Sequence, residues 1–202
     1  MYNEKQTLVF GFCVAFILWD FVFVTNYFNN FWIRITIASI ALAFYTKILG
    51  KITINTILHF DLQKIMIGFL SGVVLFLAFY LGFNLFKPFL EEGAGSVYAL
   101  STGSNPITVS MILLLTSFCE EYFWRGYIQN ILIKYYKLSG LLLTSLGYAF
   151  IHIPTLNVPL IIAALIAGLF WGVIYYRTGS FEIVVLSHIV WTELIFVIFP
   201  II

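Results

Sequence analysis

The chain has 202 residues, of which 62% are hydrophobic and 9% are charged, and its formal net charge is +1. A soluble domain carries about 25% charged residues, so this composition excludes a water-facing globular surface and makes the lipid bilayer the solvent of the chain. The sequence also has no basic cluster or stripe, so no nucleic-acid partner is expected.

Seven segments are apolar and long enough, or nearly so, to cross a membrane, which takes about 20 mostly apolar residues. They cover residues 8–24, 31–49, 65–86, 107–133, 141–153, 158–176 and 183–199. Six or eight spans also fit the pattern. We therefore predict an all-α fold, a polytopic transmembrane helical bundle that forms a single integral membrane domain over residues 1–202. Because no small-residue cleavage site is evident, the first span is interpreted as retained rather than as a signal peptide.

Two polar connections separate the apolar spans. Residues 50–64 follow the second span and contain His59, which we interpret as a loop residue. Residues 87–106 follow the third span, and their glycine, serine and proline content predicts turns and loops. Small residues spaced four apart, Gly68 with Gly72 and Gly168 with Gly172, predict close helix packing.

The lysine and arginine residues predict the orientation in the membrane. If the N-terminus is cytoplasmic, most basic residues near span ends fall on the cytoplasmic side. These residues are Lys5, Lys47, Lys51, Lys64, Lys134, Lys137 and Arg177. Under the same orientation Lys87 alone falls in an outer loop. The positive-inside rule therefore predicts a cytoplasmic N-terminus, and we expect a multi-pass protein of the cell membrane.

Two adjacent carboxylates, Glu120 and Glu121, interrupt the fourth apolar span. A charge at bilayer depth costs several kcal/mol, so it indicates a functional site. Glu121 and Arg125 are four residues apart and share a helix face, with glutamate first, which is the better orientation of such a pair. Glu120 points about 100° away from Glu121. We expect Glu121 to pair with Arg125 and Glu120 to remain available as a general acid or base.

Two of the three histidines lie at depth in the same half of the chain as these carboxylates. His152 ends the fifth span, just before Pro154, and His188 lies inside the seventh span. Thr192 is four residues after His188 and shares its helix face. A histidine at this depth needs a partner inside the bundle, so we expect these side chains to meet the carboxylates.

One carboxylate and two imidazoles, contributed by Glu120, His152 and His188, are compatible with two kinds of chemistry. They can activate water for hydrolysis, with one group as base and others stabilising an oxyanion. They can also bind a metal such as zinc. The H-E-x-x-H zincin motif and the G-x-S-x-G serine-hydrolase elbow are both absent from the sequence.

The ordered set of motifs resembles the CPBP family of intramembrane proteases, which includes the CAAX prenyl endopeptidases and bacterial Abi proteins. The first family motif, a Glu-Glu pair followed by arginine, matches at Glu120, Glu121 and Arg125. The second, an aromatic residue four positions before a histidine, matches at Tyr148 and His152, with tyrosine in place of the usual phenylalanine.

The third family motif matches at His188 and Thr192, where threonine replaces the usual asparagine. The resemblance covers a protease core of about residues 107–195. It implies a core of seven or eight helices whose site opens toward one membrane face. A threonine offers one hydroxyl donor where asparagine offers an amide NH2, so this position departs most from the family pattern.

The resemblance also implies roles for these residues. Glu120 and His152 would activate water to attack a peptide carbonyl, and His188 with Thr192 would bind the oxyanion. Glu121 and Arg125 would support the site or orient the substrate. No cofactor is expected; the alternative is zinc held by Glu120, His152 and His188.

The prediction is an intramembrane endopeptidase of glutamate type that cleaves a membrane-associated protein or peptide. One alternative is a non-catalytic membrane scaffold or bacteriocin-immunity protein of the same fold, and another is a zinc-dependent version of the protease. A transporter or proton relay is a weaker alternative, because repeated halves and broken helices are not clear in the sequence.

Overall fold

The computed structural model of the protein describes residues 3–50 and 61–202. Every regular element in these two ranges is helical, which confirms the all-α class. The helices are α1 Glu4–Phe23, α2 Phe31–Leu49, α3 Leu62–Leu85, α4 Lys87–Ala99, α5 Pro106–Glu121, α6 Asn130–Tyr136, α7 Leu138–Phe150, α8 Val158–Thr178 and α9 Phe181–Glu193. His59, predicted as a loop residue, lies outside the described ranges.

Seven helical segments within the described ranges are long and apolar enough to cross a membrane. They are Glu4–Phe23, Phe31–Leu49, Leu62–Leu85, Pro106–Tyr136, Leu138–Thr155, Val158–Thr178 and Phe181–Ile198. The predicted bundle of seven spans is therefore confirmed, and the chain is a multi-pass membrane protein. The direction in which the N-terminus points stays a prediction, as does the single-domain organisation.

The outer surface of the bundle is apolar. Large hydrophobic side chains such as Ile17, Phe44, Phe69, Leu81 and Leu146 are exposed along the spans. A contiguous apolar exterior of this kind marks contact with a membrane or a partner, and on helices of spanning length it faces lipid tails. Inside the bundle, the core is rich in aromatic side chains, with Trp19, Trp124 and Trp171 almost completely buried.

Polar residues at helix starts define where several spans begin. The Asn105 side chain accepts hydrogen bonds from the backbone of Ile107 and Thr108, and Pro106 occupies the first turn of α5. Proline fits the first turn because the N–H group that it lacks has no helical partner there. Asn157 caps α8 in the same way. These caps satisfy backbone groups that would otherwise be costly near the bilayer.

The prediction of turns and loops over residues 87–106 was wrong for most of this connection, because Lys87–Ala99 forms helix α4. Its glycines and serine have the composition of a turn, yet tertiary contacts hold them in a helix. The Asn157 amide donates to the Gly93 carbonyl at 2.8 Å, and the Tyr98 hydroxyl donates to the Ile195 carbonyl at 2.5 Å. Helix α4 is therefore tied to both α8 and the C-terminal span.

The two glycine pairs do mark close helix contacts, as predicted. A Cβ atom on Gly72 would lie 2.7 Å from the Ser187 carbonyl oxygen of α9, and one on Gly68 would lie 2.9 Å from Leu186 Cβ. On α8, a Cβ atom on Gly168 would lie 3.2 Å from the Tyr148 ring of α7. Small residues at these positions let α3 approach α9, and α8 approach α7, closely enough to place their polar side chains together.

The fourth span changes its helical winding just after the two glutamates. Residues Tyr122–Gln129 form a π-helical segment between α5 and α6, and all of its side chains are buried. Single-turn π segments inside α-helices occur frequently at functional sites. Here the segment begins directly after Glu121 and contains Arg125, so the Glu121–Arg125 pair spans the change of winding.

Candidate active site

A cavity of about 130 Å³ lies between the helices at the end of the bundle where α4 packs. Most of its wall is apolar, with Trp19, Leu113 and Ala164 among the lining side chains. Its polar lining comes from several different helices, and the residues are Ser101, Thr116, Ser117, Glu120, Tyr148, His152, His188 and Thr192. An apolar pocket with a few convergent polar groups has the features of a small active site.

Glu121 does not line the cavity itself, and its carboxylate binds two partners beside it. Its Oε1 atom accepts from Arg125 NH1 at 2.9 Å, which confirms the predicted pair. The same oxygen lies 2.9 Å from Nδ1 of His188 on α9. Glu121 and Arg125 are both completely buried. Glu121 therefore joins the first and third sequence motifs directly.

Arg125 makes its other polar contacts with neighbouring helices inside the bundle. Its NH2 group donates to the Gly168 carbonyl of α8 at 2.9 Å. The guanidinium also lies 5.4 Å from the ring centre of Tyr148 and 5.6 Å from that of Trp171, which are cation–π distances. Arg125 thus links the fourth, fifth and sixth spans, and it acts on the site through Glu121.

Glu120 points into the cavity and away from Glu121, as expected for adjacent residues of a helix. Its Oε2 atom accepts from the Tyr148 hydroxyl at 2.9 Å. Its Oε1 atom makes no hydrogen bond with the side chains of the described residues. Glu120 is only 7% exposed, and that exposure is to the cavity that it lines. This carboxylate therefore has one oxygen fixed by tyrosine and one oxygen available to a bound molecule.

His152 lines the same cavity with both ring nitrogens occupied. The indole Nε1–H of Trp19 on α1 donates to His152 Nε2 at 3.1 Å. The other nitrogen, Nδ1, is 2.8 Å from the Tyr148 carbonyl, which can only accept, so Nδ1 carries the proton. His152 is therefore a neutral imidazole whose single lone pair is already bonded to Trp19 in this arrangement.

His188 is held by a stacked indole and by a carboxylate. Its ring lies 3.8 Å from the Trp171 ring at an interplanar angle of 24°. The Trp171 Nε1–H in turn donates to the Ser187 hydroxyl at 3.2 Å, which fixes the indole. Because Nδ1 of His188 faces Glu121, it is the nitrogen that carries hydrogen, and Nε2 is left for the cavity.

Thr192 shares the face of His188, as expected, and its hydroxyl proton is used within its own helix. Thr192 Oγ1 lies 3.0 Å from the carbonyl oxygens of both His188 and Ile189. It also lies 3.2 Å from Oγ of Ser117 on α5. A hydroxyl has a single proton, so with that proton on a backbone carbonyl Thr192 accepts from Ser117.

The predicted motif residues thus lie together: most of them line one cavity, and Glu121 and Arg125 pack directly behind His188. Glu120 and His152 are not hydrogen-bonded to each other in the described part of the chain. Tyr148 joins them instead, through its hydroxyl to Glu120 and through its carbonyl to His152. Tyr148 therefore links the first and second motifs and supports the site.

Three contributors to the site were missed in the sequence: Trp19, Trp171 and Ser117. Trp19 lies in a span that carries no recognisable motif, and it reaches His152 across 133 positions of chain. Scattered tryptophans in apolar spans are typical of packing and interface anchors, so the sequence alone does not single out Trp19 or Trp171. Ser117 had a usable signal, because it lies four residues before Glu121 and hence on the same helix face.

A zinc ion held by Glu120, His152 and His188 would need these three side chains grouped as metal ligands, each with an available lone pair. Within residues 3–50 and 61–202, no three His, Cys, Asp or Glu side chains are grouped as metal ligands are. The His152 Nε2 lone pair, which a metal would need, is bonded to Trp19. The described side chains in this arrangement therefore do not fit a zinc ion held by Glu120, His152 and His188.

Comparison with known proteins gives one family. The model described as "Rce1-like: Type II CAAX prenyl endopeptidase Rce1-like" matches residues 102–193. Neither the curated proteins nor the solved structures gave a match. The matched range contains every motif residue of the cavity from Glu120 to Thr192. The match confirms the family resemblance for the segment that carries the site: residues 102–193 are similar to the Rce1-like family.

Proposed function

We propose that the protein is an intramembrane endopeptidase of the CAAX protease type that hydrolyses a peptide bond in a membrane-associated protein or peptide. The observation that carries this proposal is the Glu120 carboxylate, which lies in a largely apolar cavity with one oxygen held by Tyr148 and the other available. A carboxylate placed in this way can accept a proton from a water molecule and later return it.

The proposed reaction begins when Glu120 takes a proton from a water molecule in the cavity. The water oxygen bonds to the carbonyl carbon of the scissile peptide, and the carbonyl oxygen becomes an oxyanion. When the C–N bond breaks, the protonated Glu120 gives its proton to the leaving amine. One water is consumed, and Glu120 returns to its starting carboxylate form.

His188 is proposed to stabilise the oxyanion through Nε2. Because Nδ1 carries the proton that faces Glu121, Nε2 can donate only when the ring is an imidazolium. The Glu121 carboxylate accepts from Nδ1 and fixes the direction of the ring, and Trp171 holds the ring in place by stacking. Loss of one donor to an oxyanion costs about 100-fold or more in kcat, so this contact is a large part of the proposed rate enhancement.

The proposed role of His152 differs from the one implied by the resemblance. Its Nε2 lone pair is bonded to the Trp19 indole, so in this arrangement Glu120 is the group that accepts the proton from water. His152 holds the Tyr148 carbonyl through Nδ1, and Tyr148 in turn holds Glu120. We assign His152 and Tyr148 as positioning residues for Glu120.

The test uses purified protein reconstituted in lipid nanodiscs. The probe is a fluorescence-quenched peptide with a farnesylated cysteine followed by three residues, the substrate class that the name of the matching family indicates. We expect the wild type to cleave the probe and to place one oxygen atom from ¹⁸O-labelled water in the new carboxylate. Glu120→Gln should abolish cleavage, whereas Glu92→Gln, the same change at an exposed carboxylate of α4, should not.

Equal cleavage by the wild type and by Glu120→Gln would contradict the proposed role of Glu120. No cleavage by the folded wild type would contradict the proposed substrate class. A non-catalytic scaffold of the same fold would give that second result.

A further inference from the structure

We propose that Ser117 supplies the hydroxyl donor that Thr192 cannot give to the oxyanion, which makes Ser117 a further catalytic residue of this site. This inference rests on the proposed peptidase function. On the cavity wall formed by α5 and α9, Ser117 Oγ and Thr192 Oγ1 lie 3.2 Å apart, and each hydroxyl has a single proton.

Thr192 has one hydroxyl proton and two backbone carbonyls within 3.0 Å, those of His188 and Ile189. Its proton is therefore retained by its own helix, and its oxygen is an acceptor. To donate to a substrate, Thr192 would first have to give up its bonds to these carbonyls.

Ser117 differs in this respect from three other buried hydroxyl residues. Thr116, Thr144 and Ser145 each donate to a carbonyl three or four residues earlier in their own helix. The only hydrogen bond of Ser117 within the described residues is the one with Thr192. Its proton is held only by another hydroxyl, so a developing negative charge can take it without loss of a backbone bond.

The position of Ser117 also fits the proposed chemistry. Ser117 is 1% exposed and lines the same cavity as Glu120 and His188. It lies three residues before Glu120, and thus about one turn away on the same helix. Donors from Ser117 on α5 and His188 on α9 would therefore meet an oxyanion from two sides, close to the water that Glu120 activates.

The first experiment measures kcat and KM on the farnesylated peptide in nanodiscs. Ser117→Ala and Ser117→Cys both remove a strong donor, and the second nearly preserves the side-chain volume. We expect each to lower kcat by about 100-fold with little change in KM. The matched control is Ser39→Ala, which removes a fully buried α2 hydroxyl that has no partner in the described structure and does not line the cavity.

The second experiment adds a donor at the neighbouring position. The asparagine amide in Thr192→Asn carries two N–H donors. The double variant Ser117→Ala/Thr192→Asn should therefore have a kcat at least about tenfold higher than Ser117→Ala, approaching that of Thr192→Asn alone. A purely structural role of Ser117 predicts no such rescue. Persistence of the full loss in the double variant, or an inactive Thr192→Asn, would contradict the shared-donor account.

The outcomes separate this inference from the proposed function. If Glu120→Gln is inactive but both Ser117 variants match Ser39→Ala, the peptidase proposal stands and the role of Ser117 is wrong. If Glu120→Gln keeps wild-type cleavage, the proposed function itself fails. A Ser117 loss that appears in KM or in the unfolding temperature, with kcat unchanged, would also overturn the donor role.

Discussion

The Trp19 indole of the first span donates to Nε2 of His152 in the fifth, at 3.1 Å. This bond brings a helix without any recognisable motif into contact with the candidate active site. It also fixes the tautomer of His152, because the Nδ1 proton is directed at the Tyr148 carbonyl. The first span is therefore part of the site rather than only a membrane anchor.

Trp19→Phe should make the His152 ring more reactive while it preserves most of the aromatic packing. With the indole N–H removed, the Nε2 lone pair has no donor in the described structure and can attack diethyl pyrocarbonate. Mass spectrometry of the purified protein should show faster modification of His152 in this variant than in the wild type. Trp171→Phe, which removes the buried indole that stacks on His188, should leave the His152 rate unchanged. Equal His152 modification in wild type and Trp19→Phe would contradict the assigned bond.

Glu121→Gln should destabilise the fold strongly, because Arg125 and His188 would lose the buried carboxylate that they share. Removing one partner of a buried ion pair costs about 3–5 kcal/mol. The unfolding temperature in detergent should fall clearly below that of the wild type. Glu4→Gln is the control, because Glu4 pairs with Lys134 at an exposed position and such pairs contribute little. Similar unfolding temperatures for the two variants would argue against Glu121 as the centre of the site.

Gly72→Ala should be costly although it adds one methyl group. The new Cβ would lie 2.7 Å from the Ser187 carbonyl oxygen, so α3 and α9 must move apart beside His188. Overpacking of this kind costs about 1–3 kcal/mol. Thermal unfolding should show the loss, and Gly82→Ala on the same helix should not, because nothing lies within 4 Å of its Cβ position. A Gly72→Ala protein as stable as Gly82→Ala would mean that the helices are less closely packed than described.

The orientation of the bundle is testable with single cysteines at its two ends. In a background with Cys13 and Cys119 changed to alanine, a cytoplasmic N-terminus predicts that Thr102→Cys reacts with a membrane-impermeant maleimide in intact cells. Tyr136→Cys should react only after the cells are permeabilised. Both residues are exposed in the structure. The reverse pattern of labelling would show an N-terminus on the outer side.

This orientation also determines the side from which a substrate arrives. The cavity is lined on one side by Val97, Leu100 and Ser101. Val97 lies in the last turn of α4, and the other two directly follow this helix. Under the predicted orientation this end of the bundle faces outward. The labelling result for Thr102→Cys therefore reports on the membrane face that has access to the site.

Local spacing in the sequence predicted the Glu121–Arg125 pair, because residues four apart on a helix are neighbours wherever the helix lies. It also predicted that Glu120 would point elsewhere. The spans followed from apolar length, and the glycine pairs followed from small residues at four-residue spacing. These features depend on a single helix, so they needed no knowledge of the bundle.

Contacts between distant helices were not predictable in this way. The Trp19–His152 bond depends on how α1 packs against the segment after α7, and nothing in the residues around Trp19 indicates that partner. Helix α4 was missed for a similar reason, because its bonds to Asn157 and Ile195 outweigh a composition typical of turns. The Ser117–Thr192 contact likewise required the packing of α5 on α9.

The central claim, hydrolysis that depends on Glu120, is tested most directly without assuming a substrate. Cells that produce the wild type or Glu120→Gln at equal levels are compared by mass spectrometry of the protein termini in their membranes. The account predicts at least one membrane-associated protein that is cleaved with the wild type and accumulates uncleaved with Glu120→Gln. Identical sets of termini in the two membranes would contradict it.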